Sequence, residues 1–130
     1  MKIGFIFSIS ILLFACSKSN KIEKIIPGNW NVVEFYNSVQ SPSSFNDTTV
    51  FNVGNLIFEN NGTGEWAILG LNTNSFTWKN DAQYVYLTSN NNMDTLQIVE
   101  YSKNKLVLQS TDVENVNGLT TFHYIYTLTK

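Results

Sequence analysis

Leu56-Ile57-Phe58-Glu59-Asn60-Asn61-Gly62-Thr63-Gly64-Glu65-Trp66-Ala67-Ile68-Leu69 is the segment that sets how this chain folds. Residues Asn55 to Glu59 have the strand-forming composition, and Glu65 to Leu69 return it after a run of turn residues. Asn61-Gly62 supplies the positive φ angles that a tight hairpin needs, so the two halves read as adjacent antiparallel strands. On either side of this hairpin, further strands are expected at Asn29–Tyr36, Ser75–Lys79, Gln83–Thr88, Thr95–Tyr101, Leu106–Ser110 and Thr121–Thr129. Asn37 to Thr49, rich in Ser, Asn and Asp, reads as a long loop, and Val50–Val53 as a ninth, edge strand or part of that loop. Ser89 to Asp94 and Thr111 to Thr120 read as connectors.

Alternation tells which faces are buried. Phe122, Tyr124, Tyr126 and Leu128 share one face, while Thr121, His123, Ile125 and Thr127 share the other. Phe76 and Trp78 stand together, as do Leu96 and Ile98, and Leu106 and Leu108. Tyr84/Tyr86 and Val85/Leu87 compete for the inward face, and alternation leaves both open. A meander apolar on one face buries it by closing on itself or by folding into a sandwich. Closure is favoured because long exposed edges invite aggregation.

The 130 residues carry a net charge of −2, with eight Lys and no Arg. No basic cluster exists to neutralise a phosphate backbone, which argues against a nucleic-acid partner. Ile3 to Ala15 is almost uninterrupted apolar sequence after Lys2. As a helix it would reach roughly 20 Å, short of a bilayer core of about 30 Å, so residues 1–15 read as an export signal. Leu13-Phe14-Ala15-Cys16 resembles the lipobox of bacterial lipoproteins, which implies acylation of Cys16, the only cysteine. Several acyl chains would anchor the chain stably in a membrane. Residues 16–27 then read as a tether, flexible over Ser17–Lys21, with a helical turn over Lys21–Ile26 ended by Pro27-Gly28.

Residues 28–130 read as one all-β domain. Gly28-Asn29-Trp30 is similar to the Gly-x-Trp opening of lipocalin-like proteins, and Leu56 to Gly64 to the hairpin of small lipocalin-like lipoproteins of the Bacteroidota. Phe76-Thr77-Trp78, Leu96-Gln97-Ile98, Leu106-Val107-Leu108 and Tyr124 to Leu128 follow that family's order. The resemblance implies an eight-stranded antiparallel up-and-down β-barrel, with Trp30 packing across its floor. True lipocalins often lay an Arg from the last strand on that Trp, and this chain has none. Surface-exposed lipoproteins of the same bacteria often carry acidic residues just after the lipidated Cys. Their absence here implies an outer-membrane protein facing the periplasm.

No residue pattern points to catalysis. His123 is the sole histidine and reads as a surface group; with Cys16 acylated, no tetrahedral N/S metal site and no cofactor are expected. Glu34 and Glu100 fall within strands, where one of them could face inwards, but their spacing suggests no acid–base pair. The aromatic side chains remain: Trp30, Phe58, Trp66, Phe76, Trp78, Tyr86, Tyr124 and Tyr126 are the candidates for the barrel interior. They either line a space for a small apolar or amphipathic ligand or fill the core. The expected function is therefore a membrane-anchored, non-enzymatic ligand-binding barrel. The alternative is a filled barrel that offers its loops, Asn37 to Thr49 above all, to another envelope protein.

Overall fold

The computed structural model describes residues 18–68, 73–115 and 117–130. Eight strands follow a helix over residues 18–25: β1 (Gly28–Gln40), β2 (Phe45–Phe58), β3 (Thr63–Ile68), β4 (Asn74–Asn80), β5 (Tyr84–Ser89), β6 (Asn92–Tyr101), β7 (Lys105–Asn115) and β8 (Leu119–Thr129). Each pairs antiparallel with its neighbours in sequence, and β1 pairs with β8 to close an up-and-down barrel. The ring has no place for a ninth strand, because Val50–Val53 belongs to β2.

The β2–β3 hairpin forms as read, with one difference in its turn. Gly62 alone takes a positive φ, at 86°, and its amide closes onto the Glu59 carbonyl at 3.1 Å. Asn61 instead uses its side-chain oxygen to accept from the Thr63 amide at 3.0 Å and hydroxyl at 2.7 Å. The paired positive angles occur at Asn90-Asn91, the two-residue turn from β5 to β6, where asparagine tolerates the left-handed region. Gly64 is required for packing, since a Cβ there would run into the Ile57 carbonyl and the Phe76 ring.

Two β-bulges control which residues reach the interior. Strict alternation after Trp30 and Val32 would turn Glu34 inwards. The register shifts between Val32 and Glu34, so Glu34 pairs on the outside with Thr127 while Phe35 lies opposite Tyr126. A second shift, between Ile98 and Glu100, turns Glu100 outwards to meet Lys105 at 3.3 Å and packs Tyr101 against the core. Neither strand glutamate therefore faces the interior.

The expected loop Asn37–Thr49 is mostly strand. β1 runs to Gln40, β2 starts at Phe45, and only residues 41–44 turn. Thr111–Thr120 and Ser89–Asp94 likewise shrink to short turns. These segments rise above the core: Phe45–Phe51 pair with β1 only, while β3 meets β2 along Gly54–Phe58. Along Phe45–Asn52 both faces meet water, so polar residues are accepted and the alternation signal is lost. The barrel consequently has one tall wall (β7, β8, β1, β2) and one low rim (β3 to β6).

The opposite end is plugged. Ile22 and Ile26 are fully buried in one cluster with Trp30, Val32, Leu56, Phe58, Val85, Leu106 and Leu128. Residues 18–25 are thus part of the core rather than a flexible tether, because the barrel floor offers apolar surface that the helix covers. Trp30 is fully buried in that floor, its indole N–H donating to the Ile26 carbonyl at 2.7 Å. A cation does cover it: Lys130, just beyond β8, holds its ammonium 4.4 Å from the Trp30 ring. The same ammonium donates to the carbonyls of Ile25 at 3.0 Å and Pro27 at 2.8 Å, closing the C-terminal end of the helix. Cys16 and the export segment lie outside the described residues.

Candidate ligand cavity at the barrel mouth

Above the floor the barrel is hollow. A cavity of about 820 Å³ opens between the tall wall and the low rim, a size suited to a small organic molecule. The segment Asn37–Thr49, read as a loop, is a strand hairpin with its turn at residues 41–44.

The candidate aromatics divide between two levels. Trp66, Phe76, Tyr124 and Tyr126 line the cavity. Trp30 and Phe58 belong to the sealed floor; Trp78 packs edge-on against Phe58 at 5.4 Å and donates its N–H to the Glu59 carbonyl at 2.9 Å. Tyr86 is not an interior residue. Val85 is fully buried and Leu87 lines the cavity, which leaves Tyr84 and Tyr86 on the outer face of β5. The Tyr86 hydroxyl donates to Asp81 at 2.6 Å, and Lys79 sits 5.7 Å from its ring. The Asp81 bond raises the Tyr86 pKa. Desolvation acts upwards on Asp81, yet hydrogen bonds from Tyr86, Gln83 and Tyr84 hold its carboxyl below the usual value.

The cavity wall also holds residues that the sequence did not single out. Phe35 enters through the first bulge and stacks on Tyr124 at 6.1 Å and against Tyr126 at 5.0 Å. Trp66 meets Tyr126 edge-on at 5.5 Å, and its buried indole N–H has no acceptor among the described residues. Asp94, on β6 opposite Leu87, and Asp112, on β7 opposite Phe122, both line the space. Burial, with Asp94, Tyr124 and Asp112 nearby, pushes the Tyr126 hydroxyl up to about 12, so it serves as a neutral hydrogen-bonding group. His123 stands on the outer face of β8 between Ser38 and Thr111, with Nε2 buried and unpartnered among the described residues.

No protein-family model, curated protein or solved structure matches the chain. What recommends the mouth as a site is its own construction: a closed sheet, aromatic rings from β1, β3, β4 and β8, and carboxylates from β6 and β7 lining the same space.

Proposed function

We propose that this chain is a membrane-anchored, lipocalin-like lipoprotein of the bacterial outer membrane that binds a small apolar or amphipathic molecule, without catalysis. The observation that carries the reading is the hollow, aromatic-lined mouth of about 820 Å³ above a buried apolar floor. Apolar surface in such a space gains from exchanging water for a guest, and a few fixed polar groups orient it. The floor arrangement of Trp30 under the cation of Lys130 is in keeping with the lipocalin resemblance.

The anchor reading rests on the lipobox resemblance at Leu13–Cys16. Lys18 is already helical at the plugged end, and two residues of chain span at most about 7 Å. Acyl chains on Cys16 would therefore hold the plugged end close to the bilayer and leave the mouth open to the periplasm.

Native mass spectrometry of the protein extracted from its own envelope tests the reading. A small molecule should be retained and lost on unfolding, and Ser110→Trp, which fills the cavity opposite Tyr124, should abolish retention. A guest retained equally by both proteins would place it elsewhere, and no guest in either would remove the carrier reading.

A further inference from the structure

Positive charge is confined to one end of the barrel. All seven lysines among the described residues belong to the plugged end: Lys18, Lys21 and Lys24 in the helix, Lys79 at the end of β4, Lys103 and Lys105 about the β6–β7 turn, and Lys130 beyond β8. Carboxylates occur at both ends: Glu23, Glu59, Asp81 and Glu100 accompany the lysines, whereas those at the mouth have no lysine beside them. Asp94 and Asp112 line the cavity, and Glu114 shares the inner face with Asp112 by alternation. Among the described residues no Lys lines the cavity, and the turns at residues 41–44 and 90–91 contain no basic residue. The lining carboxylates thus have no internal counter-ion, and the one ion pair among the described residues, Lys105–Glu100, is at the far end.

A cavity with low-dielectric walls and charge of one sign focuses its field on the space inside. An anionic guest would be repelled there. A protonated amine or quaternary ammonium would be attracted by both carboxylates and by the faces of the surrounding rings. We propose that the mouth cavity selects organic cations with an apolar body. The charged head lies between Asp94 and Asp112, and the body rests against Phe35, Trp66, Tyr124 and Tyr126. This rests on the cavity being the ligand site and adds the class of ligand it takes.

Three probes with one body and different heads separate the two claims: phenylbutylamine, phenylbutanol and phenylbutyrate. Titration calorimetry on the full chain in lipid nanodiscs, with empty nanodiscs subtracted, should show the amine binding about tenfold or more tighter than the alcohol, and the carboxylate weakest. Added salt should narrow the gap between amine and alcohol. The double variant Asp94→Asn, Asp112→Asn should bring amine and alcohol to equal affinity by weakening the amine, and its melting curve checks that the barrel persists. Equal binding of amine and alcohol by the unaltered protein would overturn the selectivity and leave the ligand cavity standing. Binding of none of the three by a folded protein would overturn both.

Discussion

Trp30 shows how much of the floor depends on one side chain. Its ring is sealed between the helix and the barrel, its N–H is satisfied by Ile26, and Lys130 covers its face. Trp30→Ala should lower stability by about 3–5 kcal/mol in denaturant titrations, the usual range for truncating a buried aromatic residue. Tyr126, in the cavity wall, is held in its neutral form by burial. Its folded pKa is raised from 10.0 to about 12 by burial, with Asp94, Tyr124 and Asp112 adding to the effect. The stabilising contribution is therefore complete below about pH 10 and is lost as pH rises towards 12. The difference amounts to about 2–3 kcal/mol. Denaturant midpoints measured across that window should fall less steeply for Tyr126→Phe than for the unaltered chain; parallel curves would mean that the hydroxyl is freely solvated.

Among the elements, the helix over residues 18–25 is the piece whose role changes most between sequence and structure. Its eight residues are short and polar enough to read as tether, since only Ile22 and Ile25 interrupt Lys, Ser, Asn and Glu. Burial against the floor decides the matter, because an isolated helix of this length does not hold itself together in water. Ile22→Ala should cost about 2–5 kcal/mol, measured by thermal or denaturant unfolding. The Leu56–Gly64 hairpin behaves differently, because its turn chemistry is local and readable. Gly64→Ala should be destabilising by about 1–3 kcal/mol in the same assay, as the new methyl collides with Phe76 and the Ile57 carbonyl. The bulges at Val33 and Val99 are the least legible elements. Each inserts one extra residue and so reverses the inward–outward parity of the remainder of its strand, and neither position carries a glycine or proline to mark it.

Taken end to end, the barrel carries every lysine of the described residues at its plugged end, mixed with carboxylates, and carboxylates without lysines at its open end. Cys16→Ser should abolish incorporation of labelled palmitate and release the protein from the membrane fraction. Unchanged labelling in that variant would remove the anchor while leaving the barrel and its cavity untouched. The barrel itself is kept free of exposed edges only around its lower half. Above it, the tall wall leaves Phe45 and Phe51 more than half exposed, at 55% and 64%, on a strand stretch paired along one side only.

The primary structure was enough to establish that this is an antiparallel all-β chain, where its central hairpin turns, and which face of β4, β6, β7 and β8 goes inside. Those properties depend on two-residue alternation and on turn residues, both of which are local. Long-range contacts settled the rest. Closure through β1 and β8 turned apparent loops into a tall wall, and the bulges exchanged Glu34 for Phe35 and Glu100 for Tyr101. Val85 and Leu87 took the inner face of β5 from Tyr84 and Tyr86. Asp94 and Asp112, eighteen positions apart in the chain, came to line one cavity because strand register, not sequence distance, sets which side chains share an enclosed space.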